Sequence, residues 1–223
     1  MSLKKPAAFD PFGWLERYFP AGTLHVLIRV FMGVVLAAFL AHRVTSYNLY
    51  FFKPLWVVET LIYAVFLVSV VVRKNPVARS RGAKEILIPL VGGVWPFALL
   101  LSPVHPGLAG SLTSVYIIFV WMTASSCLTL WGLWTLRRSF SITVEARELV
   151  TGGPYRFVRH PVYLGEILTS AAVAVWRFSP VNLVLLFSFI AIQLCRSRME
   201  EKKLAQSLPG YRAFAAKTFW FWP

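Results

Sequence analysis

Residues 112–136 read LTSVYIIFVWMTASSCLTLWGLWTL and end at the pair Arg137-Arg138. An α-helix needs roughly 20 mostly apolar residues to cross a bilayer core of about 30 Å. This run meets that requirement, and five others join it when the chain is read outward. Residues 24–41, 54–72 and 86–101 precede it; residues 163–175 and 181–195 follow it. The last two are short and separated only by Trp176-Arg-Phe-Ser-Pro180, which predicts a tight helical hairpin. The third contains Pro89, Gly92, Gly93 and Pro96. These residues predict a kink, with neighbouring helices satisfying the freed backbone groups. Across 223 residues the chain is 57% hydrophobic and 16% aromatic, with a mean hydropathy of +0.64. That apolar share exceeds the usual range for a soluble domain. The fold class expected is all-α: a polytopic membrane helical bundle with about six membrane passages, a C-terminal helical hairpin and a cytoplasmic C-terminal helix.

The net charge of +14 raises the question of nucleic acid. The placement of the charges answers it. No basic run is interleaved with aromatics for base stacking, and the basic residues lie in loops between apolar runs. Counting alternate sides gives 19 Lys and Arg on one side and three, Arg43, Lys53 and Arg177, on the other. Cytoplasmic loops carry the excess of Lys and Arg, so both termini are expected in the cytoplasm, in a bacterial inner membrane. Arg29 is near the start of the first apolar run and can snorkel to the interface. The preceding basic residues lie too far from that run for a signal peptide, which predicts a retained helix. Before it, Phe9, Phe12, Trp14, Leu15, Tyr18 and Phe19 read as an interfacial aromatic segment. Cys127 and Cys195 sit inside apolar runs without metal-binding spacing, so they read as small packers and no metal site is expected.

Two polar stretches interrupt this pattern. The first is GGPYRFVRHPVYLG, residues 152–165. Gly152-Gly153-Pro154 reads as a turn. Pro161 suits the first turn of a helix, where its missing N–H would be unpaired anyway. The free N–H groups of that helix would favour an anion, beside the donors Arg159 and His160. Tyr155 and Tyr163 offer ring faces to a cation. The same residues would also serve an interfacial loop held among headgroups. The second stretch is RSRMEE, residues 196–201. Arg196 and Glu200, four apart, and Arg198 and Glu201, three apart, are neighbours on a helix; they would serve either as surface ion pairs of little worth or as a second polar wall. Acids at a membrane edge are costly unless paired or used.

Together these stretches resemble the isoprenylcysteine carboxyl methyltransferase and phospholipid methyltransferase superfamily of membrane enzymes. The core of the resemblance is Gly153-Pro154-Tyr155, Arg159-His160-Pro161, Tyr163 and Gly165. Its second element is Arg196, Glu200-Glu201 and Leu204, followed by Pro209-Gly210-Tyr211. It covers roughly residues 130–223. Arg137 stands where relatives often have glycine, and Phe214 where a second tail tyrosine is common. The resemblance divides the chain into residues 1–110, an N-terminal segment with three helices, and residues 111–223, a methyltransferase core.

It implies S-adenosylmethionine as methyl donor, bound at the cytoplasmic face by Tyr155, Arg159, His160, Tyr163, Leu164, Gly165, Glu200 and Glu201. The donor's carboxylate would meet Arg159 and His160, its amino group Glu200 or Glu201, and its adenine the surroundings of Tyr155 and Leu164. No glycine-rich dinucleotide loop is present, so a soluble-type methyltransferase fold is not expected. The acceptor expected is a lipid or prenylated molecule entering from the bilayer. A carboxylate acceptor needs no base but wants a cation, for which Arg196 is the candidate; Arg196 and Glu200 are the catalytic candidates. An amine acceptor is the next choice and needs a base. Glu145, Glu148, Glu166 and His160 can each serve, and the sequence leaves that choice open. Two rivals stand beside this reading: an NADPH-dependent membrane reductase of the sterol type, and a non-catalytic membrane protein.

Overall fold

The computed structural model describes residues 14, 18, 21–72, 76–80 and 82–220. Besides a single turn at Pro106–Ala109, the described α-helices are α1 (Ala21–Thr45), α2 (Lys53–Val72), α3 (Lys84–Val94), α4 (Leu112–Leu136), α5 (Pro161–Trp176), α6 (Pro180–Ser207) and the short α7 (Tyr211–Ala215). Each of the six apolar runs is a helix. The stretches Lys53–Val72, Lys84–Leu101, Leu112–Ser139 and Pro180–Ser207 are long and apolar enough to span a membrane, and Val30–Thr45 and Pro161–Trp176 are shorter apolar helices. Of the aromatic N-terminal segment, Trp14 and Tyr18 are described, their rings meeting edge to face at 5.3 Å. Its other residues and the Arg29 side chain lie outside the described set.

Local sequence sets the boundaries. Ser111 and Ser179 cap α4 and α6 by accepting from Ser114 N and Asn182 N, which satisfies one of the unpaired N–H groups at each helix start. α3 carries Pro89 inside it and passes at Trp95-Pro96 into a 3₁₀ stretch, Trp95–Leu101. This is the expected kink. The fully buried Asn182 donates to Leu99 O at 3.1 Å and Arg177 O at 2.7 Å, tying the α5–α6 hairpin to the end of α3. The two cysteines face outward from the bundle rather than into it.

α4 and α5 share the most extensive helix–helix interface. Lipid supplies no hydrophobic drive between helices, so close approach through small residues takes its place. Ser125, Ser126, Thr129 and Gly132 of α4 and Gly165, Ser170 and Ala172 of α5 are all buried, and Gly165 lies against Ser125 and Thr129. A Cβ on Gly165 would sit 2.2 Å from Thr129 Oγ1 and 2.8 Å from both Ser125 O and Thr129 N; one on Gly132 would sit 2.7 Å from Val162 Cγ2. Large apolar side chains such as Phe31, Leu101, Tyr116, Val184 and Phe187 point outward. That surface suits hydrocarbon rather than water. Between α1 and α2, Arg43 pairs with Glu59 at 2.6 Å.

Candidate active site

The polar stretches meet where α5 begins and α6 leaves its apolar run. Gly153 sits at φ +57°, a conformation that favours glycine, and a Cβ there would lie 2.7 Å from Thr135 Oγ1. The chain then turns through the 3₁₀ segment Gly153–Arg156. Residues 157–159 are laced to the C-terminal tail: Phe219 N donates to Phe157 O at 2.9 Å and Arg159 N donates to Phe219 O at 3.0 Å. His160 precedes α5 as its cap residue, with Pro161 in the first turn, as read from the sequence.

Two layers of contacts follow. In the outer layer, Glu201 serves both basic residues of the loop: His160 Nε2 lies 3.0 Å from Oε1, and Arg159 Nη1 lies 3.4 Å from Oε2. All three residues are buried. Trp220 packs on the His160 ring at 4.9 Å and donates through Nε1 to Ser197 Oγ at 3.1 Å. In the inner layer, the rings of His160 and Tyr163 stack in parallel at 5.4 Å. The Tyr163 hydroxyl donates to Glu200. The Arg196 guanidinium lies 4.7 Å from the centre of the Tyr163 ring, and Arg196 Nη1 donates to Gln193 Oε1 at 2.9 Å. Gln193 in turn donates to Glu166.

Arg196 and Glu200 both engage Tyr163, and Glu201 reaches across to the loop. A solvated surface pair is worth little beside such buried contacts.

The opposite wall is the segment from Phe140 to Val150. It is pinned at its middle by Lys203, which donates to Val144 O at 2.9 Å, to Arg79 O at 2.7 Å and to Glu85. Val144 N donates to Glu85 O at 3.1 Å, and Glu145 pairs with Arg147.

A cavity of about 450 Å³ opens between these walls. Tyr155, Arg159, His160, Tyr163, Glu166, Arg196 and Glu200 line it together with Tyr211 and Phe214 of the tail and with Glu145 and Glu148. Its lining also takes in Ser141, Thr143 and Arg147 of the opposite wall and, on its apolar side, Met32 and Leu36 of α1, Phe66 of α2, Pro89 of α3 and Phe97 of the 3₁₀ stretch that follows. Ligand pockets of about 300–1,000 Å³ hold small molecules. Burial pushes the Tyr155 phenol well above its ordinary value, and the Glu200 and Glu166 carboxylates add to the shift. Burial likewise raises Tyr211, with Glu201 adding and Arg159 opposing.

Three of the residues expected at the cofactor do not line this cavity. Gly165 is on the face of α5 that touches α4, where it permits helix contact. Leu164 packs against the apolar cluster of Leu133, Val162 and Trp220. Glu201 borders an adjoining groove with Arg198, Lys202 and Arg212, which shares Arg159 and Tyr211 with the cavity. The sequence reading did not single out Gln193, Lys203 or Trp220. Each acts through a partner distant in sequence, which no local pattern marks. Tyr211 was visible only through the Pro209-Gly210-Tyr211 element. Among the described residues, no three His, Cys, Asp or Glu side chains cluster as metal ligands.

Comparison with known proteins agrees with the motif reading. Residues 115–206 match the isoprenylcysteine carboxyl methyltransferase (ICMT) family. The chain is also similar to the cobalt-zinc-cadmium resistance protein CzcN of Cupriavidus metallidurans, with 27% identity over 158 residues covering 67% of this chain and 71% of the relative.

Proposed function

We propose that this chain, whose residues 115–206 match the isoprenylcysteine carboxyl methyltransferase family, is an integral membrane methyltransferase using S-adenosylmethionine on a lipidic or prenylated acceptor. The observation that carries this is one shared cavity, whose lining joins the carboxylates and cations of α5 and α6 to apolar side chains of α1–α3. A polar donor and an apolar acceptor can meet in such a space without either being exposed to the wrong solvent. The lining suits the donor chemically. Its carboxylates and aromatic rings complement a sulfonium and an ammonium, and the buried Nε of Arg196, without a protein partner, offers a hydrogen bond to an anion.

The donor supplies an activated methyl group for in-line displacement. The chain supplies placement and dryness, which are large terms for such a reaction. Arg159 and His160 hold the rim of the site, anchored by Glu201. Glu200, held by the Tyr163 hydroxyl, presents a carboxylate to the cationic part of the donor. Arg196 orients an acceptor carboxylate, an oxygen nucleophile already ionised at neutral pH. An amine acceptor would instead need a base, and Glu145, Glu148 and Glu166 all border the space. Residues 111–223 act as the catalytic core, and residues 1–110 as the apolar side of the acceptor path. Both termini lie in the cytoplasm of a bacterial inner membrane in this proposal.

Titration calorimetry with S-adenosylhomocysteine in detergent tests the donor assignment. Wild type binds, and His160→Ala and Glu200→Ala each weaken binding by about tenfold or more, the scale of one charge-assisted hydrogen bond. No binding by wild type, or variants equal to it, sinks the proposal. Binding of NADPH in its place would favour the reductase reading.

A further inference from the structure

Glu166 is a carboxylate on a helix otherwise made of apolar and small residues between Val162 and Trp176. It faces Gln193, whose side chain is fully buried. A buried amide has to be satisfied at both ends. Here the amide nitrogen donates to Glu166 and the amide oxygen accepts from Arg196 Nη1 at 2.9 Å.

The chemistry of the neighbours allows only this orientation. An ionised carboxylate accepts and cannot donate; a guanidinium donates and cannot accept. Turned over, the amide would set its NH₂ against the guanidinium and its oxygen against the carboxylate. Two further surfaces confine Arg196. Its guanidinium lies over the Tyr163 ring. On another side is Gly92 of α3, where a Cβ would come within 3.1 Å of Arg196 Cδ and 3.3 Å of Nη1. The guanidinium therefore has one nitrogen fixed, one face covered and a glycine making room for it, while its buried Nε has no protein partner.

We propose that Glu166 and Gln193 are positioning residues for Arg196. Glu166 fixes which end of the Gln193 amide faces Arg196, and the amide then holds the guanidinium with its remaining N–H groups free for the acceptor. This rests on the reading of Arg196 as the acceptor's cation. Glu166 and Gln193 touch neither the methyl donor nor the acceptor in this scheme. Their loss should therefore alter acceptor affinity and leave donor binding intact.

The test uses the full chain in lipid nanodiscs, methyl-labelled S-adenosylmethionine, and N-acetyl-S-farnesylcysteine as a probe with the carboxylate of the family's name. The variants are Glu166→Gln, which is isosteric, Gln193→Met, which nearly conserves volume, and Arg196→Lys, alone and combined. Glu166→Gln and Gln193→Met should each raise the probe's KM about tenfold. Affinity for S-adenosylhomocysteine should stay within about twofold, and neither change should add to Arg196→Lys, because coupled residues are non-additive. Infrared difference spectra of wild type against Glu166→Gln supply a readout that needs no acceptor. The expected loss is a carboxylate stretch. Loss of a protonated carboxyl stretch would mean that Glu166 is neutral and does not dictate which end of the amide faces Arg196, which overturns the inference. A raised KM in Arg196→Lys with wild-type KM in both other variants also overturns it. If Arg196→Lys leaves KM unchanged, or wild type does not methylate the probe, the carboxylate-acceptor reading falls instead, and the infrared result alone decides the orientation.

Discussion

Replacing Gly165 with alanine adds one methyl group at the tightest point between α4 and α5. That carbon would lie 2.2 Å from Thr129 Oγ1 and 2.8 Å from Ser125 O and Thr129 N. The hydroxyl can rotate away. The two backbone atoms cannot, since both belong to the ladder of α4. Moving them from 2.8 Å to the 3.4 Å of ordinary contact separates the helices by about 0.6 Å at this point. Overpacking of this kind costs about 1–3 kcal/mol, which corresponds to a fall of about 2–12 °C in melting temperature for a chain of this size. The displacement also reaches the site, because the opposite face of α5 carries Tyr163 and Glu166. Misplacement of reacting groups by about 1 Å can cost on the order of a hundredfold in rate. The assay is thermal unfolding of purified protein in detergent, run beside Gly33→Ala. Nothing lies within 4 Å of a Cβ at Gly33, so that control should melt within about 1 °C of wild type or above it, since alanine favours a helix. If Gly165→Ala melts with wild type, the close α4–α5 contact is wrong, and with it the packing role assigned to Gly165.

Three further outcomes follow from the same geometry. Arg137, at φ +33°, ends α4 in a conformation that favours glycine, although its guanidinium lies 3.7 Å from the Trp134 ring centre. Arg137→Gly should leave stability within about 1 kcal/mol of wild type in denaturant titration, strain relief and the lost ring contact offsetting each other; a loss above that would show the ring contact dominating. Lys203→Met removes the cation that pins Val144, and the Val144 and Ala146 amides should exchange with deuterium about tenfold faster or more; unchanged exchange would mean the wall stands without it. Tyr155 and Tyr211, raised by burial, bind their protons more tightly when folded. Their stabilising contribution is complete below the unfolded tyrosine value of about 10 and declines as pH rises beyond it. Tyr155→Phe should flatten that alkaline decline, and a slope equal to wild type would contradict the burial.

Much of the bundle is legible in hydropathy. Six apolar runs give six helices, and the Pro89–Pro96 region is where α3 tightens into a 3₁₀ stretch. Caps at Ser111 and Ser179 and the helix start at Pro161 are local chemistry, so they too can be read. The site divides differently. Tyr155, Arg159, His160, Tyr163, Arg196 and Glu200 converge on one cavity as the motifs imply, while Leu164 and Gly165 belong to packing. Spacing says that two residues share a helix, but not which side of it faces the cavity; the side is settled by α4, whose small residues draw Gly165 inward. The partners of Arg196 and Glu200 were not legible for a related reason. Helical spacing makes them neighbours, yet each meets Tyr163 from another helix, and a buried aromatic and hydroxyl compete better than a solvated pair.

The pairing of residues 157–159 with Phe219, and of Trp220 with His160, sets an order on biosynthesis. During translation α4 and α5 can enter the bilayer and pack together early. The loop before α5 gains its hydrogen-bonded neighbour only when residues 217–220 have emerged and folded back over α6. Arg159 and His160 thus acquire their final surroundings last, some sixty residues after they leave the ribosome. A nascent chain carrying an assembled bundle still lacks a finished site, which postpones chemistry until insertion is complete.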